Sequence, residues 1–239
     1  MARSAGVQAI IDQHFPSRTH PYRIFEQTIV EHLDPSYTVL DIGCGRRAPN
    51  LVKLKGRAKV LIGLDVLDFE IEDPDLILLT GSVCQMNKIE RNSIDLAYSR
   101  SVMEHIEDVE TAFSEIFRVL RPNGTYIFLT PNFWDYASLI AYVVPNRFHA
   151  RFVRWSEGRA EEDTFHTHYH LNTYYSINEL AKRNNFVLSK FEYLGQYPSS
   201  MMFSRTLFSI ASRYEKFLER HSGLHWLRGW ILCALCKPA

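Results

Sequence analysis

The chain has 239 residues, 46% hydrophobic and 13% aromatic, enough to bury one sizeable core, and a single domain spanning 1–239 is expected. Its 27 Lys and Arg balance 27 Asp and Glu, so the overall charge lacks the basic footprint that nucleic-acid phosphates require, and nucleic acid is excluded as an expected partner. The opening MARSAGVQAIIDQHF has no apolar h-region, and no uncharged apolar run reaches the ~20 residues that span a bilayer, which points to a soluble, cytoplasmic protein.

Residues 1–35 read as one or two helices broken around Pro16 and Pro21, a helical cap ahead of the first strand. From Tyr37 to Thr130, short β-rich apolar runs alternate with helix-like stretches, the pattern of a parallel sheet covered by helices. YTVLDI, KVLIGLD, LILLTG, SIDLAYS and GTYIFLT read as five strands. Between the last two, Val109, Ala112, Phe113, Ile116, Phe117, Val119 and Leu120 recur at helical spacing, and Pro122-Asn123-Gly124 ends the helix and turns the chain.

Beyond Asn132 an aromatic stretch and the polar SEGRAEEDTFHTHYHLNT form a lid, 133–175. The remainder, 176–239, holds a helix at Ser176–Asn184, the strand FVLSKFEYLG, a helix at Ser204–Arg220 and the strand GWILCALCKP. In the second helix Leu207, Ile210, Ala211, Tyr214, Phe217 and Leu218 share a face, which suits packing on a sheet and peripheral contact with a membrane equally well. Cys44, Cys84, Cys233 and Cys236 are too few for a disulfide scaffold. The C-x-x-C of the last two lacks the second pair a zinc site needs, so they read as buried thiols.

The stretch VLDIGCGRRAPN, strand then tight glycine turn, is the arrangement that brings backbone close to a nucleotide at the carboxyl edge of a sheet. Gly43, Gly45 and Ala48 satisfy the relaxed dinucleotide pattern G-x-G-x-x-G/A, which keeps a NAD(P)-dependent oxidoreductase open. Asp41 argues the other way. A carboxylate directly before the turn repels a pyrophosphate, but attracts the ammonium and sulfonium of S-adenosylmethionine by roughly 1–4 kcal/mol at contact range. Asp65 ends the second strand near the offset at which an acidic residue meets ribose hydroxyls, and serves either cofactor.

Residues from about Val39 to Asn132 resemble the core of class I S-adenosylmethionine-dependent methyltransferases, in the branch that includes ubiquinone-biosynthesis-type enzymes. VLDIGCG resembles the family's first motif and LIGLDV its acidic second strand. SIDLAYS resembles its fourth strand, and SVMEHIEDVETAFSEIFRVLRPNGTYIFLTPN the loop, helix and fifth strand that follow. The resemblance implies an α/β, Rossmann-like, doubly wound sheet of seven strands, mostly parallel, with an antiparallel last strand inserted between the fifth and sixth. The cofactor-binding core is then 36–132. Asp41, Gly43, Cys44 and Gly45 would line the methionine portion of the cofactor, Asp65 and Val66 the ribose, Ser82 and Val83 the adenine, and Ser99 would lie beneath the methionine. Two positions depart from the family pattern: Ser82 replaces a common acidic residue, and Arg47 stands where a third glycine is common. Arg47 must turn outward, and Arg46 either reaches an anionic group of the ligand or joins it in a solvent-facing pair.

Methyl transfer from a sulfonium mainly requires alignment of acceptor, methyl and sulfur, with a base where the acceptor must lose a proton. His105, in SVMEHIED after the fourth strand, is a candidate base, with Glu104 beside it to orient it or bind substrate. In HTHYH, His166, His168 and His170 share a face if the segment is extended; such a face suits general bases, a transition metal or plain exposure. The reading adopted makes His168 catalytic and His166 and His170 substrate-binding, with no metal. Asn132, Trp134 and Tyr142 would complete a pocket for a small-molecule or lipid-like acceptor, methylated at oxygen. A cofactor-binding protein without turnover is the remaining alternative, and oligomeric state is left open.

Overall fold

The computed structural model of the chain describes residues 5–136, 138–139 and 166–239. Tyr142 and most of the expected lid lie outside the described residues. Two compact units are present: Phe25–Thr130 with Thr167–Glu192 and Leu232–Ala239, the sheet unit, and Met1–Ile24 with Pro131–His166 and Tyr193–Ile231, the helical unit. The expected cap, 1–35, is therefore divided. The second of its helices, α2 (Pro21–Glu31), follows the sheet from Phe25 onward, because Phe25 and Ile29 are buried and the Phe25 ring stands edge-on to Tyr98, centroids 6.0 Å apart.

The sheet has seven strands in the order β3-β2-β1-β4-β5-β7-β6: β1 (Thr38–Ile42), β2 (Val60–Asp65), β3 (Ile77–Thr80), β4 (Ile94–Arg100), β5 (Leu120–Pro131), β6 (Val187–Leu194) and β7 (Trp230–Cys236). β1 to β5 pair in parallel, and the last strands run antiparallel, with β7 between β5 and β6. Just past the end of β7, Lys237 exchanges hydrogen bonds with the first residues of β5, Asn123 N–H to Lys237 O at 2.8 Å and Lys237 N–H to Gly124 O at 3.0 Å. β1 and β4 occupy the middle and are buried almost throughout, as strands covered on both faces must be. In this register Asp41 lies beside Gly63 on one flank and Tyr98 on the other.

Helix α4 (Val109–Val119) starts at Asp108, whose Oδ1 accepts the Thr111 N–H at 3.0 Å, and buries Ala112, Phe113, Ile116 and Val119. Phe113 meets Tyr126, Phe128 and Phe186 edge-on, which fastens the helix to β5. The helix ends at Val119 and β5 begins at Leu120, so Pro122-Asn123-Gly124, expected to turn the chain between helix and strand, lies inside the strand; a residue that precedes proline avoids the helical region. Lys237 caps it: its buried ammonium donates to Asn92 Oδ1, Phe117 O and Leu120 O at 2.7–2.8 Å. The 109–131 helix and strand, together with β1 and β2, place one carboxyl edge where the glycine turn lies. The other helices are α1 (Ala5–His14), α3 (Pro49–Val52), α5 (Tyr174–Arg183) and α6 (Arg205–Arg220).

In the helical unit, Val7 and Ile11 of α1 pack on Phe208 of α6, with Phe15, Tyr197, Met201 and Met202 around them. No helix among the described residues is long and apolar enough to cross a membrane.

Candidate cofactor and active site

Gly43 and Gly45 adopt φ of +70° and +76°, a left-handed backbone that glycine enters without steric cost. The turn is strapped to the end of β2: the N–H groups of Gly43 and Cys44 donate to Leu64 O at 2.7 and 3.3 Å, and that of Gly45 to Asp65 Oδ2 at 2.7 Å. A Cβ added to Gly43 would collide with the Val102 side chain, so the segment after β4 presses on the turn. At Gly45 a Cβ would meet nothing within 4 Å, leaving that side of the turn open to a ligand. Cys44 is buried with its sulfur against Gly63, and burial raises its thiol pKa first of all, so it lines the turn as an unreactive wall. The third special position is Ala48, left-handed at φ 41° and fully buried at the start of the four-residue α3.

The two carboxylates behave differently. Asp65 accepts Gly45 N–H through Oδ2 and Leu67 N–H through Oδ1 at 3.0 Å, which leaves one lone pair on each oxygen for a diol. Asp41 is 2% exposed and its Oδ2 has no hydrogen-bonding partner. Burial pushes its pKa up to about 8, opposed by the Tyr98 hydroxyl and by Arg100 and reinforced by the negative charge of Asp65. Tyr98 and Arg100 offset only part of the cost of burying it.

Arg47 turns outward, its side chain 75% exposed, and its Nε donates to Glu70 Oε2 at 2.8 Å; Arg46 Nε lies 3.9 Å from Oε1 of the same glutamate. Both arginines occupy the turn before α3. Val66 is exposed just past Asp65, and Val83 is buried. Ser82 Oγ accepts the Cys84 N–H at 3.2 Å, which leaves its own proton available to an acceptor. Ser99 is buried with its hydroxyl 2.7 Å from Tyr126 Oη.

Past β4 a short 3-10 turn, Met103–His105, carries the candidate acid–base pair. Glu104 is buried, and Oε2 accepts the Thr130 hydroxyl at 3.2 Å; Thr130 in turn accepts from Asn172 Nδ2 at 3.0 Å. The backbone carbonyl of Glu104 accepts the His168 N–H at 2.8 Å, which brings the histidine segment beside His105, itself half-buried. The His168 and His170 rings lie 5.6 Å apart, although Tyr169 between them has φ 57° and breaks the extended run; His170 Nδ1 is 3.1 Å from Glu107 O. Thr130, Asn172, Tyr98 and Val102 had no sequence signal: each gains its place through strand register or a long-range contact. Among the described residues, no three His, Cys, Asp or Glu side chains gather to hold a metal.

The remaining predicted substrate residues with described positions belong to the helical unit. Asn132 is fully buried, and both hydrogens of its amide are committed, to Trp226 O at 2.6 Å and Arg228 O at 2.8 Å, while its N–H donates to Gly229 O. It has no donor left for a substrate. Trp134 is 45% exposed and meets Phe133 and Trp226 edge-on. His166 is exposed.

Sheet order, glycine turn and acidic β2 terminus define a nucleoside-binding fold of the methyltransferase type, and the comparisons agree. Residues 40–128 match the family described as methyltransferase domain. Over 99 residues the chain is 33% identical to the sterol 24-C-methyltransferase of Aspergillus fumigatus, covering 37% of this chain and 26% of that protein. Over 206 residues it is 24% identical to the 24-methylenesterol C-methyltransferase 2 of Arabidopsis thaliana, covering 80% and 54%. The geranyl diphosphate C-methyltransferase of Streptomyces coelicolor superposes with a TM-score of 0.60 at 15% identity, over 90% of this chain and 79% of the other. This chain thus spans between about a quarter and about half of those sterol methyltransferases. Residues 40–128 thus carry the similarity to a methyltransferase domain, and S-adenosylmethionine fits the site: an orphaned buried carboxylate at Asp41, open space at Gly45 and spare lone pairs on Asp65.

Proposed function

We propose that the chain transfers a methyl group from S-adenosylmethionine to a small apolar or lipid-like acceptor. Carbon is the favoured atom, in place of the oxygen expected from sequence, because the relatives named above carry C-methyltransferase names. The observation that carries the reading is Asp41, a fully enclosed carboxylate with an unpartnered oxygen at the mouth of the glycine turn. An ammonium supplies the missing partner and favours the ionised carboxylate, whereas a pyrophosphate is itself anionic, opposes that ionisation and brings no donor, which sets the nicotinamide alternative aside.

When bound, the cofactor supplies an electrophilic methyl group on a sulfur that leaves neutral. Asp41 holds the ammonium, Asp65 the ribose diol, the Gly43–Gly45 turn gives backbone access, and Ser82 and Val83 border the adenine. An alkene carbon that gains a methyl must shed a proton or a positive charge elsewhere. His105 and His168 are the bases for that proton; the Glu104 carbonyl ties the backbone of the His168 segment to the turn that carries His105, while the Thr130 and Asn172 chain fixes Glu104 itself. His170 is the acceptor-side residue of the sheet unit; within the helical unit, which holds Trp134 and His166, Asn132 positions the segment before Trp134.

Titration with S-adenosylhomocysteine tests the cofactor half: saturable binding weakened at least tenfold by Asp41→Asn is expected, and undiminished binding would overturn the role of Asp41. Incubation with methyl-labelled cofactor and a panel of sterols and isoprenyl diphosphates tests the other half. Label on carbon is expected; label on oxygen or nitrogen would restore a heteroatom acceptor.

A further inference from the structure

Helix α6 is built with its polarity reversed. Its inward residues include Ser212, 3% exposed, and Glu215, 6% exposed, beside Phe208 and Leu218. Its outward residues include Leu207, Ile210 and Phe217, at 43%, 59% and 49% exposure. At about 100° per residue these three fall within one stripe of roughly a quarter of the circumference. Single exposed apolar residues need no explanation, but an apolar row on a helix whose buried side carries a glutamate does.

The charges around the stripe say what covers it. Arg213 is one turn from Ile210 and from Phe217, and Arg220 one turn beyond Phe217, so both border the stripe; both are exposed, and neither enters an ion pair among the described residues. The acidic residues of the helix are withdrawn from it: Glu215 is buried, and Glu219, about half a turn from Ile210, holds Lys216 at 2.6 Å. Phe217 stands against the exposed His221, ring centroids 4.2 Å apart. Apolar side chains rimmed by arginine, with no exposed carboxylate on the same face, match an interfacial helix that sinks its stripe into acyl chains while the guanidinium groups meet lipid phosphates.

We propose that the outer face of α6 docks on anionic membrane surfaces, bringing the protein to the phase in which lipid-like acceptors dissolve. This surface stands independently of which atom is methylated. The test is co-sedimentation of the full chain with vesicles of phosphatidylcholine alone and of phosphatidylcholine mixed with phosphatidylglycerol. Binding to the anionic vesicles is expected, at least tenfold above the neutral ones. It should fall steeply between about 0.1 M and about 1 M salt, where the Debye length shrinks from about 10 Å to about 3 Å. Arg213→Gln and Arg220→Gln should each lower partitioning about fivefold, and Ile210→Ser with Phe217→Ser should abolish it. S-adenosylhomocysteine binding, measured on every variant, should stay unchanged, which separates lost docking from lost folding. Equal partitioning of the Ile210→Ser, Phe217→Ser variant and the wild type would overturn the proposal. So would a wild-type dimer in sedimentation velocity that dissolves in that variant, which would give the face to a second copy of the chain.

Discussion

The Asp65 carboxylate closes the glycine turn from the neighbouring strand: Oδ2 accepts the Gly45 N–H at 2.7 Å while Oδ1 accepts the Leu67 N–H at 3.0 Å. One side chain therefore shapes the turn and presents the remaining lone pairs to a ribose, so its loss carries two separable effects. Hydrogen bonds to a charged group contribute roughly 1.5–3 kcal/mol each. Asp65→Ala should lower the melting temperature by about 6–24 °C and weaken S-adenosylhomocysteine at least tenfold. Asp65→Asn, which keeps one acceptor oxygen, should recover part of the stability and little of the affinity. A melt of Asp65→Ala indistinguishable from wild type would mean the turn holds its shape unaided.

The two left-handed glycines of the turn differ in what lies beside them, and their alanine variants should differ accordingly. Gly43→Ala adds a collision with Val102 to the left-handed strain, whereas Gly45→Ala adds only the strain, roughly 1–2 kcal/mol. In denaturant titrations Gly43→Ala should be the more destabilised, and adding Val102→Ala should restore part of its midpoint. Gly45→Ala should fold well yet lose most of its affinity for S-adenosylhomocysteine, because its methyl group occupies the open side of the turn. If the affinity of Gly45→Ala matches wild type, the ligand approaches from elsewhere.

Arg47, which stands where the family commonly has glycine, is spent on the surface. Its ion pair with Glu70 is exposed on both sides, and such pairs contribute about 0–1 kcal/mol. Arg47→Ala should change the melting temperature by less than about 2 °C and leave S-adenosylhomocysteine affinity within about twofold. A tenfold loss in affinity, read by calorimetry, would instead put the guanidinium on the ligand.

What the sequence revealed and what it withheld follow from range. β1 and β4, buried on both faces, show as unbroken apolar runs, and α4 shows as a clean 3.6-residue period because one face packs on β5. Asp41, Gly43, Gly45 and Asp65 were legible since all are local to strand ends. The chain of Glu104, Thr130 and Asn172 was not, because it joins segments far apart in sequence that only the β4–β5 register and the return of residue 172 bring together. Asn132 looked like a pocket residue by position, yet its amide is bound to the backbone near Trp226 and Arg228, contacts that no local pattern encodes. In α6 the period of the apolar residues was visible and their outward direction was not, since direction depends on what α1 covers.

The buried carboxyl of Asp41 makes a prediction about protons. Its pKa is pushed up to about 8, so the folded protein holds a proton that the unfolded chain gives up near pH 4. The native state binds more protons than the unfolded state across that window, so the stability of the ligand-free protein should fall as pH rises from about 4 through about 8. Glu215, raised by burial to about 8 with Asp135 reinforcing the shift, contributes a slope of the same sign. Asp41→Asn and Glu215→Gln should each flatten the profile and gain stability at pH 8–9 relative to wild type. Ligand binding tells the two apart. An ammonium beside Asp41 favours the ionised form, so below pH 8 the carboxyl must release its proton as the ligand enters. Affinity for S-adenosylhomocysteine should therefore rise between pH 6 and about 8, approaching tenfold per pH unit at the lower end. Calorimetry near pH 7 in two buffers of different ionisation enthalpy should register release of close to one proton in wild type and in Glu215→Gln, and none in Asp41→Asn. Equal binding enthalpies in the two buffers for wild type would mean that Asp41 is already ionised before the ligand arrives, and that its orphaned oxygen is stabilised by something other than the missing cation.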